Sequence, residues 1–190
     1  MKLAKSLERL GTESAFTVLA EAKKLEAQGK EMIHLGLGQP DFKTPQHIMD
    51  AAKKAIDDGH HGYVLANGIL ECRQSVSRKI KSLYKKDIDP ERIMIMPGGK
   101  PTMYYAIQMI GEPGAEIVHP TPGFPIYESM INYTGAKAVP YDLTKEKDLK
   151  FDPEKILSLI TDKTRLVILI NPNNPTGSFV EKSAIDFLAE

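Results

Sequence analysis

Arg-Leu-Val-Ile-Leu-Ile-Asn-Pro-Asn-Asn-Pro-Thr-Gly, residues 165–177, is the stretch that decides the fold. Arg165 to Asn171 is the most apolar strand candidate in the chain, a short aliphatic run bounded by polar residues. Asn171 to Gly177 then changes character abruptly. Two prolines fix the chain direction, while Asn173 and Asn174 can turn tightly and still offer amide groups. Gly177 permits a backbone conformation that other residues resist. One reading is a rigid turn from strand to helix. The sharper reading is a loop stiffened to aim an asparagine amide at a ligand.

Working outward, the same order of strand, turn and helix repeats upstream. Ile93 to Met96 predicts a short buried strand, followed by Pro97-Gly98-Gly99-Lys100-Pro101 and a helix through Tyr104 to Ile110. Glu116 to His119 predicts a strand entering Thr121-Pro122-Gly123-Phe124-Pro125, with a helix over Ile126 to Tyr133. A strand over Lys137 to Leu143 and a helix from Pro153 to Ile160 lead back to the opening stretch, and a further helix follows Gly177. Nearer the start, helices are expected over Glu13–Gln28, Pro45–Asp58 (with Thr44 as cap) and Ile69–Tyr84, and a strand over Glu31–Gly38. Strands alternating with helices imply an α/β fold, a three-layer αβα arrangement with a mostly parallel sheet. In such sheets the loops leaving the carboxyl ends of strands converge on ligands.

Composition narrows the function. Lys+Arg and Asp+Glu number 25 each, so the net charge is zero. That argues against nucleic acid or an anionic membrane surface as the main partner. The aliphatic run from Leu166 to Ile170 is too short to span a bilayer, and the first residues lack the apolar core of a secretory signal. The single cysteine, Cys72, forms no disulfide within one chain and fits a reducing compartment. A cytoplasmic chain is expected. His60-His61 beside Asp57-Asp58 has no third ligand at suitable spacing, so no metal site is expected.

Gly98-Gly99-Lys100 before a helix suits an anion, because glycines let backbone amides approach and a helix start adds unpaired N–H groups. It lacks P-loop spacing, and taken alone two glycines before a helix are more often plain turn chemistry than a phosphate site. Phe124 can stack on a planar ring or cover the edge of the core.

Taken as an ordered set, these motifs resemble the class I/II aminotransferases, fold-type I enzymes dependent on pyridoxal 5′-phosphate (PLP). The set is Gly38-Gln39-Pro40-Asp41-Phe42, Gly62-Tyr63, Gly68 with Glu71 and Arg73, Gly98-Gly99-Lys100, Pro122 to Tyr127, and Asn173 to Gly177. The resemblance implies that backbone amides at Gly99 and Lys100 hold the PLP phosphate and that Phe124 stacks on the pyridine ring. It implies that Asn174 hydrogen-bonds the ring's phenolic oxygen and that the backbone of Gly38 meets the substrate carboxylate. Tyr63 matches a tyrosine reaching the phosphate of a neighbouring subunit, which implies a homodimer. Pro101 departs from the pattern by removing one amide donor, and Phe124 stands where many members carry Trp or Tyr.

The implied activity is transfer of an amino group between an amino acid and a 2-oxo acid, in amino acid metabolism. Residues 1–30 are then an arm and helix, and residues 31–190 part of the PLP-binding large domain. The resemblance puts the Schiff-base lysine beyond residue 190, together with an aspartate facing the pyridine nitrogen and an arginine gripping the substrate. No residue present is given that catalytic role, and the 190 residues are expected to be the front half of a longer protein, inactive alone. Arg165–Asn171 would then either close against Ile93–Met96 or leave an open apolar edge. The competing readings are a non-enzymatic fragment with a vestigial phosphate pocket, and a PLP lyase or decarboxylase of the same fold.

Overall fold

The computed structural model describes residues 2–11, 14–145 and 149–190. It divides into two compact units, one made of the residues up to Ser14 with Gly99–Glu190, the other Ala15–Gly98.

In the first unit, β1 (Glu116–Thr121) lies between β2 (Lys137–Asp142) and β3 (Thr164–Val167), and both pairings are parallel. Parallel neighbours require crossovers. They are supplied by α5 (Ile126–Thr134) between β1 and β2, and by α6 (Pro153–Leu159) between β2 and β3. Residues of β1 alternate between two cores. Ile117 packs with Ile107 of α4 (Gly99–Ile110) and with Tyr127, Met130 and Ile131 of α5. Val118 packs with Ile156 of α6, with Leu188 of α7 (Lys182–Ala189) against the same cluster. Helices therefore cover both faces, as the sequence predicts for a parallel sheet.

Local chemistry explains the helix ends. Asp152 caps α6, its carboxylate accepting from the amides of Glu154 and Lys155, and Pro153 occupies the first turn, where its missing N–H costs nothing. Arg9 donates from Nε to the Asn132 carbonyl at 2.8 Å and from Nη2 to the Tyr133 carbonyl at 2.8 Å. The guanidinium thus satisfies exposed acceptors at the end of α5 and complements its dipole.

The second unit holds α1 (Ser14–Ala27) from its second residue onward, α2 (Gln46–Asp57) and α3 (Leu70–Tyr84). Pro45 stands one position earlier than expected, as the cap of α2, and no side chain, Thr44 included, provides a cap hydrogen bond there. Ala22 and Arg73 are the buried residues among those described, while Ile33, Leu35 and Phe42 are largely exposed.

Three strand expectations are revised. Glu31–Gly38 and Ile93–Met96 form no ladder among the described residues, and β3 ends at Val167 instead of reaching Asn171. A strand needs a partner as well as a pattern. Ile95 donates from its amide to Asn67 at 3.1 Å, a contact with a loop, and Ile168 donates one further bond to Val118 at 2.8 Å. Among the described residues β3 pairs with β1 alone, and no ladder joins it to Ile93–Met96.

At the amino end of the sheet, the Glu116 carboxylate accepts from Lys137 Nζ at 2.9 Å and Thr161 Oγ1 at 2.8 Å. These bonds to its charged form, the Lys137 bond foremost, hold its pKa below the ordinary value of 4.5. The unfolded chain then binds the proton more readily, so this contribution is complete above about pH 4.5 and is lost as pH falls through the lower folded value. Glu116→Gln is expected to flatten the acid limb of a stability–pH curve measured by urea melts. An unchanged limb would contradict the assignment.

Candidate active site

The loop after β1 meets the start of α4 through Phe124 and Lys100, and the loop after β3 is bonded to the loop after β1 through Asn173 and Pro122. Gly98 adopts a φ of +92°, which turns the chain so that Gly99 begins the helix. Pro101 falls within the first turn of α4, a place where proline is tolerated. The α4 start therefore presents the amides of Gly99 and Lys100 with the positive end of the helix dipole.

Phe124 is half-buried beneath this start. The Lys100 ammonium stands 5.6 Å from its ring centroid, and Tyr127 meets the ring edge-on at 6.3 Å between centroids. Gly123 is required for the turn. A Cβ there would collide with the Pro120 carbonyl oxygen.

The Asn171–Gly177 loop is tied internally. Asn171 Oδ1 accepts from the Val180 amide at 3.1 Å, and Gly177, at φ +72°, donates to the Asn173 carbonyl at 2.8 Å. Asn173 is buried and Asn174 is exposed. The Asn173 side chain crosses to the neighbouring loop, Nδ2 donating to the Pro122 carbonyl at 3.3 Å. Gly99, Lys100, Phe124 and the Asn173–Asn174 pair are thus gathered within one unit. Gly38 and Tyr63 belong to the other unit, where both are exposed.

His119 on β1 carries no local sequence signal beyond its place in a strand. It is buried, its Nδ1 lies 3.2 Å from the Pro120 carbonyl, and burial pushes its pKa down, against the smaller opposing effects of that carbonyl and Glu128. The imidazole is therefore held neutral.

The chain matches the model of aminotransferase class I and II over residues 30–190. It belongs to that aminotransferase family. Aspartate aminotransferase of Bacillus subtilis is 34% identical over 190 residues, covering 100% of this chain and 48% of the relative. The (5-formylfuran-3-yl)methyl phosphate transaminase of Methanocaldococcus jannaschii is 35% identical over 188 residues, covering 99% and 49% respectively. The structure of Thermus thermophilus aspartate aminotransferase with maleate superposes with a TM-score of 0.93 at 30% identity, covering 100% of this chain and 50% of that one. The aminotransferase-family chain thus spans about half the length of the curated relatives it matches.

Class I/II aminotransferases are generally PLP-dependent. The donor set suits such a group in kind: helix-start amides for an anion, a flat ring for a heteroaromatic face, and an exposed amide for a ring oxygen. Among the described residues, no helix is long and apolar enough to cross a membrane.

Proposed function

We propose that this chain forms the phosphate- and ring-holding part of a PLP-dependent aminotransferase that moves an amino group between an amino acid and a 2-oxo acid. The observation that carries the proposal is that the loop between β1 and α5 meets the α4 start through Phe124 and Lys100 and meets the asparagine loop through the Asn173 bond to Pro122. When bound, PLP supplies an electron sink for the substrate's α-carbon. The amides of Gly99 and Lys100 hold its phosphate, Phe124 covers one face of its ring, and Asn174 donates to the phenolic oxygen. Gly38 offers its backbone to the substrate carboxylate. Tyr63 reaches the phosphate site of a second subunit, making the enzyme a homodimer in the cytoplasm. Residues 1–30 then serve as arm and helix, and residues 31–190 as cofactor-binding domain.

Pyridoxamine 5′-phosphate is the cleaner probe of this arrangement, because it lacks the aldehyde that reacts with surface lysines. Asn174→Ala is expected to weaken its binding about three- to tenfold, the worth of one hydrogen bond, with little change in melting temperature. Unchanged affinity, with the chain folded, would remove Asn174 from the cofactor site.

A further inference from the structure

Asn173 is held through both its backbone and its side chain. It is 7% exposed, its backbone N–H donates to the Ser178 carbonyl at 2.7 Å, and its carbonyl accepts from Gly177. Side-chain Nδ2 donates twice, to Thr176 Oγ1 at 2.8 Å within its own loop and to the Pro122 carbonyl at 3.3 Å in the other. Its Oδ1 is buried with no hydrogen-bond partner among the described residues. The amide orientation follows from this pattern. Rotating it by half a turn would set oxygen against the Pro122 carbonyl and lose the crossing bond. The fold accepts an unmet acceptor and keeps both donors in use.

We infer that Asn173 is a positioning residue, a strut that sets Asn174 relative to Phe124. Resting on the function proposed above, this assigns a role to a residue that touches no ligand itself. The strut leaves the chain one residue before Asn174 and lands two residues before Phe124. Pro122 and Gly123 transmit its position, because a proline fixes φ and the turn has no space for a Cβ at Gly123. Among the described residues the side-chain hydrogen bonds of the strut run to Thr176 and Pro122, whereas the backbone amides of Gly99 and Lys100 are placed by the φ of Gly98 and the start of α4.

The test uses the 190-residue chain with two probes, pyridoxamine 5′-phosphate and inorganic phosphate, and compares Asn173→Ala, Asn174→Ala and the double variant. Asn173→Ala is expected to weaken pyridoxamine 5′-phosphate up to about tenfold while inorganic phosphate binds unchanged, since only the ring contacts depend on the strut. Because Asn173 acts through Asn174, the double variant should bind no more weakly than the weaker single variant. Asn173→Ser, whose hydroxyl is too short to reach Pro122, should behave like the alanine variant. In the ligand-free chain, NMR signals of the Phe124 ring and the Asn174 side-chain amide should shift in both Asn173 variants. Equal weakening of both probes would show general loosening and overturn the inference. So would unchanged affinity, fully additive losses, or unmoved Phe124 and Asn174 signals. If the unmodified chain binds neither probe, the proposed function falls, and the ligand-free NMR signals alone decide whether the strut exists.

Discussion

Replacing Arg73 with alanine is expected to cost about 3–5 kcal/mol of folding stability, from lost charged hydrogen bonds and the cavity left behind, a large share of a typical domain's total. Arg73 lies on α3 and is only 1% exposed. Its Nε donates to the Gly68 carbonyl at 3.1 Å, and Nη1 donates to the Pro90 carbonyl at 2.9 Å and to Glu91 Oε1 at 2.8 Å. Glu91 is mostly exposed, so the ion pair is the smaller part of the loss. The larger part is two main-chain acceptors stripped of a charged donor, together with the cavity left by the side chain. Gly68, at φ +95°, presses so closely on Ile95 that a Cβ there would come within 2.8 Å of its side chain. Arg73 therefore pins the turn after the Tyr63 loop against the segment that runs on to Gly98. Arg73→Lys should recover only part of the loss, because one ammonium cannot span all these acceptors in the guanidinium's planar fork. Urea unfolding monitored by circular dichroism measures this. A loss below about 1 kcal/mol, the value of an ordinary surface pair, would contradict the clamp.

Ile117→Ala should be comparably damaging, costing about 2–5 kcal/mol, as for large-to-small changes in a closed core. Ile117 is fully buried on the central strand, against Ile107, Tyr127, Met130 and Ile131. Removing its outer carbons leaves a void that β1 cannot close without disturbing ladders on both sides, since it pairs with β2 and β3 together. The same urea melts measure it, and Ile117→Val, losing one methyl, should cost only about 0.5–1.5 kcal/mol. Equal losses for the two variants would mean that the site collapses freely and is not the packing centre described.

The contrast between these residues shows where sequence reading succeeds. The helices were legible because their signals are local: apolar spacing for α1, and Pro153 at the opening of α6. β1 and β2 were legible because each is a short apolar segment closed by a turn. Ile93–Met96 carries the same pattern, yet forms no ladder among the described residues, because pairing depends on a partner elsewhere in the chain. The site divides in the same way. Phe124 and Asn174 fall, as the sequence predicts, in loops that follow β1 and β3, and Gly99 and Lys100 fall at a helix start; the cofactor roles given to them are the proposal above. The Asn173 bond to Pro122 spans 51 residues and the Arg73 bond to Pro90 spans 17, and no local pattern encodes either. His119 occupies a strand position where a polar residue reads as surface, although the fold buries it.

The central claim is that the α4 start and the two strand-end loops form one anion-and-ring site. Equilibrium dialysis of the chain against pyridoxamine 5′-phosphate, with and without inorganic phosphate, measures this most directly. The account predicts one saturable site per chain, displaced by phosphate and weakened by Phe124→Ala. Absence of saturable binding, or binding indifferent to phosphate, would contradict it.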